Sequence, residues 1–398
     1  MLRPAAFPPR TVADILDRMI VASYPTVPSL AVSLIGASGF VGLRTTEILS
    51  ADPTFTVRPV VRSASSLAVL ARQRLDWRIS DLLAAAPLAE TLRGTEVCIH
   101  AAIGDAGQIV RMARETYRAC ALAGVRRLVW LSSASVHRQN PDSGTTDDTP
   151  LRDDQPLVYN NAKVRAEWAL EKLARDGRVE VVRLRPSVVF GPRSRWITDA
   201  AEEIRSGQAG WIDGGHAICN TIYVDNLVSA IRAAALAPSV AVGQAFLVGD
   251  AEPVTWRDFL QAIATHVGAD ATAYAELPTR AVPREKESRL APLTLTPVYA
   301  ALSHKVPDLA KRLAKSITKA LRSPTQAPGA WHLRCQPQAT LTSEMVLLQQ
   351  CRWQLSSAKA ERLLGYRPPV AYAEGMRRSL AWLDFAEGRH YLQPHSSA

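Results

Sequence analysis

The chain has 398 residues, 47% hydrophobic and 21% charged, ordinary globular usage that excludes a disordered, collagen-like or coiled-coil protein and suits two domains or one large α/β unit with an appendage. The net charge is +10, but residues 280–334 hold eleven bases against three acids, so one short basic stretch carries most of the excess and no nucleic-acid partner is implied. Cys98, Cys120, Cys219, Cys335 and Cys351 form no C-x-x-C pair and no metal-ligand spacing, which suits a reducing compartment and no metal site.

Residues 1–28 read as an N-terminal extension. A short helix at 11–20 is flanked by Pro8, Pro9, Pro25 and Pro28. MLRPAAFPPR leads into no apolar core segment, so a secretory signal is not expected and the cytoplasm is the expected compartment. AVSLI at 31–35 is then the first strand, and GASGFVG turns directly into a helix. In that context Gly36 allows the tight turn, Gly39 lets the backbone approach a pyrophosphate, and Gly42 lets the helix pack against the sheet. The start of the helix, with Ser38, Phe40 and Val41, offers unpaired N–H groups and a positive dipole end to phosphates.

FTVRPVV at 55–61 is the second strand. An acid after it would bind the ribose 2′-hydroxyl of NAD. Arg62 stands there instead, which suits the 2′-phosphate of NADP, unless it is simply a solvated surface arginine. Arg44 can assist it. Asp81-Leu82 follows the next short strand, where an adenine edge would lie, although a surface cap suits Asp81 equally. VCIHAA at 97–102 is a further strand, ending at Ala101-Ala102. A helix over 105–124 then leads to RLVWLSS at 127–133. A second helix over 159–175 precedes VEVVRLRP at 179–186. Strands alternating with helices predict right-handed βαβ units in a parallel sheet covered on both faces. The expected architecture is a Rossmann-type doubly wound α/β domain over 29–190, completed by parts of 220–250. A smaller mixed substrate lobe takes 191–220 and 251–390.

Tyr159 and Lys163 open the second helix four residues apart, on one face. An ammonium beside a phenol favours the phenolate and lowers the tyrosine toward neutrality. Such a tyrosine can exchange a proton while a nicotinamide moves a hydride. Ser132, Ser133 and Ser135 end the preceding strand, and any one of them can hold a substrate carbonyl.

Taken together, GASGFVG, the HAA at 100–102, AGVRRLVWLSSASV at 123–136 and YNNAK followed by Glu167 form an ordered set of motifs. RLRPSVVFGP at 183–192, IYVDNL at 222–227 and SSAKAERLLGYRP at 356–368 continue it. The chain resembles the extended short-chain dehydrogenase/reductase superfamily, the NAD-dependent epimerase/dehydratase group. The wording of IYVDN and LTSEMV is closest to its 3β-hydroxysteroid dehydrogenase branch. The resemblance implies Tyr159 as acid/base, Lys163 as its activator, Ser133 as the carbonyl-orienting hydroxyl, and Pro186 and Ser187 flanking the nicotinamide of NADP or NAD. It also implies a homodimer pairing the helices at 105–124 and 159–175. The alternatives are a nucleotide-sugar epimerase or dehydratase and a non-catalytic NADP-binding protein. In the substrate lobe Ser135, Arg193, Arg195 and Asn220 are candidate substrate contacts. The usual asparagine is missing from the helix at 105–124, and no arginine precedes the V-D motif.

Residues 307–322 form a basic amphipathic helix on the 3.6-residue pattern. Leu309, Leu313, Ile317 and Leu321 lie on one side, with Lys311, Lys315 and Lys319 among the bases on the other. It can lie on an anionic membrane surface or serve as a lid packed on the substrate lobe. The partners expected are a small-molecule substrate, a second copy of the chain and, through this helix, an anionic membrane.

Overall fold

The computed structural model describes residues 29–269, 274–285 and 341–388. The N-terminal extension and the basic helix at 307–322 lie outside the described residues.

Leu30–Ile35 forms β1 and Phe40–Ala51 forms α1. Phe55–Val61 is β2, Arg78–Ile79 is β3 and Ala85–Leu92 is α2. Then follow β4, Val97–His100, α3, Ala106–Ala123, and β5, Arg127–Leu131. After α4, Val158–Ala174, come β6, Glu180–Pro186, and β7, Val188–Phe190. The less regular part holds α5, Arg195–Arg205, β8, Gly210–Trp211, β9, Thr221–Tyr223, and α6, Val224–Ala235. It continues with β10, Ala245–Val248, α7, Trp256–His266, and β11, Ala275–Glu276. The last helices are α8, Ser343–Leu348, α9, Ala358–Leu364, and α10, Tyr372–Ala386.

Seven strands form one parallel sheet in the order β10–β6–β5–β4–β1–β2–β3. β4 and β5 are buried throughout, as parallel strands with both faces covered must be. On one face Leu34, Ile99 and Val129 pack with Leu43 and Leu49 of α1 and Leu227 and Ile231 of α6. On the other face Ile35, Cys98 and Trp130 pack with Met112 and Tyr117 of α3 and Leu170 of α4. The chain runs from β1 outward to β2 and β3, then returns to β4 on the far side of β1. That reversal opens a crevice beyond the carboxyl ends of β1 and β4, where such sheets hold ligands.

A second core joins Phe190, Trp211, Tyr223, Trp256, Phe259, Met376 and Leu383. It is built from segments on both sides of β10, so the smaller lobe is not contiguous in sequence. Ala360 of α9 and Tyr366 belong to the sheet's own core, and the Tyr366 hydroxyl donates to the Gly249 carbonyl at 3.0 Å. The C-terminal segment therefore straps the two lobes together. No helix among the described residues is long and apolar enough to cross a membrane.

Candidate active site

The glycine turn lies at the crevice. Gly36 has φ +84°, and a Cβ there would stand 2.6 Å from the Ala102 nitrogen. Only glycine therefore fits between the ends of β1 and β4. A Cβ on Gly42 would stand 2.1 Å from the Gly36 carbonyl oxygen. Gly39 is different. It is exposed, its φ of −76° suits any residue, and its nearest protein neighbour would be 3.4 Å away. The protein itself does not require glycine at 39, whereas a phosphate group resting on the helix start would. This turn fits a dinucleotide.

The other residues read from the sequence take varied positions around it. Ser38 is half-buried in the turn. Phe40 packs against the smaller lobe's core and Val41 against the sheet's. Ala101 and Ala102 end β4 beside the turn, the Ala101 N–H donating to Ile35 at 2.9 Å. Arg62 is exposed after β2 and has no ion-pair partner among the described residues. Asp81 lies beyond β3, its carboxylate accepting from the Leu83 N–H at 3.0 Å. Pro186 is buried, and the Ser187 hydroxyl donates to the Val248 carbonyl at 3.4 Å.

Tyr159 and Lys163 share the first turns of α4. The Lys163 ammonium is 5.8 Å from the Tyr159 ring centre and 5.5 Å from that of Trp130. It donates to the Leu131 carbonyl at 2.9 Å, which ties the helix to the carboxyl end of β5. Two residues on, the Ser133 oxygen accepts from the Ser135 N–H at 3.2 Å and the Ser135 hydroxyl at 2.9 Å. Ser133 thus has its own proton free to donate outward. The Tyr159 hydroxyl makes no hydrogen bond among the described residues and is equally available.

Electrostatics differ from the sequence expectation. Burial pushes the Tyr159 phenol up to about 12, aided by the charge of Glu344. Burial pulls Lys163 down to about 8, partly offset by Glu167. The lysine is held by a backbone carbonyl, and the net effect at Tyr159 is the upward shift from burial and Glu344. Below it, His100 stacks on Trp130 with ring centres 4.2 Å apart. Burial and the neighbouring Lys163 pull His100 down to about 3, so the imidazole is neutral.

Several expectations are corrected. Arg44 is not free to assist Arg62: its guanidinium holds Asp225 at 2.6 and 2.9 Å and Glu47 at 2.9 Å. Leu82 packs its side chain in the core cluster that includes Leu88 and Leu92 of α2, so any contact with an adenine would come from its backbone. Ser135 donates its hydroxyl proton to Ser133, so towards a substrate it has only acceptor capacity left. Asn220 is consumed by Cys351, the Trp353 carbonyl and the Leu355 N–H. Arg195 pairs with Asp199 at 3.1 Å and is 90% exposed, while Arg193 is exposed with φ +75°.

Sequence reasoning missed two carboxylates. Leu157 provides no side-chain cap for α4. Glu285 does so from the smaller lobe, accepting from the Val158 N–H at 2.8 Å. Glu344 of α8 accepts from Gln139 at 2.9 Å and its charge acts on Tyr159. Both lie more than 120 residues away in sequence; no local pattern marks Glu285, and Glu344 stands inside LTSEMV, which was read for its wording and not for its carboxylate. The YNNAK motif did carry a usable signal: Asn160 and Asn161 are 1% and 2% exposed, clamped to Gln155 at 2.9 Å.

The sequence model of the 3-beta hydroxysteroid dehydrogenase/isomerase family matches residues 33–279. A 2-alkyl-3-oxoalkanoate reductase of Stenotrophomonas maltophilia is 32% identical over 158 residues, 38% of this chain and 48% of the reductase, so the match spans about half of that relative. The decarboxylating sterol-4-alpha-carboxylate 3-dehydrogenase of Candida albicans is 24% identical over 383 residues, covering 89% of this chain and 97% of the relative. Among solved structures, a UDP-glucuronic acid 4-epimerase of Bacillus cereus superposes with a TM-score of 0.63 at 14% identity, covering 90% of this chain and 100% of its own.

Proposed function

The chain belongs to the 3-beta hydroxysteroid dehydrogenase/isomerase family, within the extended short-chain dehydrogenase/reductase superfamily of NAD(P)-dependent enzymes. From that premise we propose that it transfers a hydride between a nicotinamide dinucleotide and a ring-borne secondary alcohol or ketone. The observation that carries this reading is convergence. The glycine turn after β1, Ala101-Ala102 after β4, Ser133 after β5 and Pro186-Ser187 after β6 all lie at one edge of the sheet. The Lys163 bond to Leu131 brings Tyr159 to that edge.

The turn and α1 would hold the pyrophosphate, Arg62 the 2′-phosphate of NADP, Asp81 the adenine edge, and Lys163 the nicotinamide ribose. When bound, the nicotinamide supplies the hydride donor or acceptor. Ser133 donates to the substrate oxygen and orients it. Its geometry is fixed from behind by Ser135, so little reorganisation is needed as negative charge develops. Tyr159 gives the proton during reduction and takes it during oxidation. Its raised proton affinity keeps it protonated near neutral pH, and an alkoxide is a stronger base still, so the proton passes to a nascent alkoxide. The pairing of Arg195 with Asp199 and the engagement of Asn220 by Cys351, Trp353 and Leu355 support this reading over a nucleotide-sugar epimerase or dehydratase, which needs a diphosphate anchor.

The proposal includes a homodimer through α3 and α4, which pack on each other and expose Leu122 at 66% and Trp168 at 41%. It also includes a cytoplasmic location, with contact to anionic membranes through 307–322.

The test is reduction of NADP or NAD at 340 nm with a panel of 3β-hydroxysteroids and cyclic alcohols. The expected result is turnover, with NADP preferred by about tenfold or more and that preference lost in Arg62→Asp. NADP binding without turnover on any alcohol or ketone would instead indicate a non-catalytic NADP-binding protein. Conversion of UDP-glucose with no net absorbance change would indicate the epimerase.

A further inference from the structure

Residues 275–285 run from the smaller lobe to the start of α4, one residue from Tyr159. β11 pairs with β8, and the Leu277 N–H donates to the Trp211 carbonyl at 2.8 Å. Leu277 and Val282 then pack against Ile212, Leu341 and Val346. The Arg280 guanidinium donates to the Leu341 carbonyl at 2.8 Å. The segment is thus anchored in the smaller lobe along most of its length. At its end Glu285 holds the other lobe at two points. Its N–H donates to the Pro156 carbonyl at 2.8 Å, and its carboxylate accepts from the Val158 N–H at 2.8 Å. The two bonds bracket Leu157, which is buried. They fix the turn that enters α4 and satisfy the first N–H of a helix that has no side-chain cap of its own.

The other anchors around the tyrosine come from its own domain. Asn160 and Asn161 are bound to Gln155 at 2.9 Å, and Lys163 is bound to Leu131 at 2.9 Å. Ser133 takes its position from the end of β5 and from Ser135. A substrate seated on the smaller lobe is in register with the phenol only if the position of that lobe is carried to α4. Glu285 carries it, through one bond to the loop and one to the helix. A carboxylate suits the task, because an ionised acceptor makes a stronger hydrogen bond than a neutral one and is favoured at the positive end of a helix.

We propose that Glu285 is a positioning residue for the reaction: by clamping the start of α4 to the smaller lobe, it holds the Tyr159 hydroxyl in register with a substrate bound on that lobe. The clamp touches no reacting atom and acts through the Val158 N–H. Proton transfer is steep in distance, and a displacement of about 1 Å can cost about 10²-fold in rate, so a bond that adds little to folding can matter to turnover. The proposal rests on the hydride-transfer reading and adds a residue to it.

The experiment uses the full chain with NADP and the 3β-hydroxysteroid or cyclic alcohol that wild type oxidises fastest at 340 nm. It compares Glu285→Ala, Glu285→Gln, Val158→Pro and the double variant Glu285→Ala with Val158→Pro. Proline is tolerated at the first helical position and removes the N–H from the other side of the bond. Rates are expressed per NADPH-binding site, counted by fluorescence titration, so that a merely structural loss lowers the number of sites and leaves kcat per site unchanged. Glu285→Ala and Val158→Pro should each lower kcat per site by about tenfold or more, with NADPH affinity within about twofold of wild type. Glu285→Gln, which keeps an acceptor for the N–H, should restore most of the loss, and the double variant should lose no more than either single one. A kcat per site within about twofold of wild type in Glu285→Ala overturns the clamp and leaves hydride transfer standing. Losses that multiply in the double variant overturn the route through the Val158 N–H. Absence of turnover by wild type on the whole panel, with NADP bound, overturns the hydride-transfer reading and this proposal with it.

Discussion

Gly39 separates a residue kept for the fold from one kept for a ligand. Gly36 and Gly42 are required by the chain's own backbone, since a methyl group at either would overlap main-chain atoms at 2.6 and 2.1 Å. At Gly39 a methyl group meets nothing closer than 3.4 Å, and the backbone is in an ordinary extended conformation. Gly39→Ala should therefore leave thermal stability within about 0.5 kcal/mol of wild type. It should weaken NADP binding by about tenfold or more, because the methyl group occupies the space where a pyrophosphate approaches. Differential scanning fluorimetry and a fluorescence titration with NADPH measure the two effects. Unchanged affinity would mean that the phosphates do not rest on this turn.

At the scale of elements, much was legible because local signals agreed with burial. FTVRPVV became β2 with the bounds read from sequence. The helix after β4 begins where Asp105 accepts from the Gly107 N–H and ends where Gly124 takes φ 72°, the cap chemistry its sequence announces. Less legible was β3, whose two residues leave no period to detect. The start of α4 was placed to within one residue, but not its cap, since Glu285 arrives by tertiary docking. The buried ion pair that fixes α4 to β6 was also invisible as geometry. Glu167, fully buried, holds Arg185 at 2.6 and 2.9 Å. The Asp147 carbonyl and His137 complete the guanidinium's partners at 2.7 and 3.0 Å. Burial and Arg185 pull His137 down to about 4, so it stays neutral and accepts. Removing one partner should cost far more than replacing both. Glu167→Ala or Arg185→Ala should each lose about 3–5 kcal/mol in urea unfolding, whereas Glu167→Leu with Arg185→Met should recover most of that loss. Additive losses would show that the two groups act independently.

Across the whole molecule, the division of labour follows from how each lobe is made. The sheet is assembled from consecutive βαβ units, so its strand ends, and the residues on them, could be read in order from the chain. The smaller lobe is assembled from separated segments around Phe190, Trp256 and Phe259. Its contributions near α4, Glu285 and Glu344, come from distant segments; Glu285 had no sequence signature, and LTSEMV marked Glu344 without showing where its carboxylate would lie. The expectation that Lys163 lowers Tyr159 failed for a related reason. It considered two residues on one helix, whereas desolvation by both lobes and a carboxylate from the far one decide the outcome. What remains common to both views is a phenol and a serine hydroxyl, each with an uncommitted proton, at the mouth of a dinucleotide turn. The most direct measurement is steady-state turnover of Tyr159→Phe on the wild-type substrate, beside its NADPH affinity. The phenyl ring preserves the packing against Lys163 and removes only the proton carrier. The account predicts an NADPH affinity within about twofold of wild type and a kcat reduced by about 10² to 10⁴; a variant that binds NADPH and turns over at the wild-type rate would contradict it.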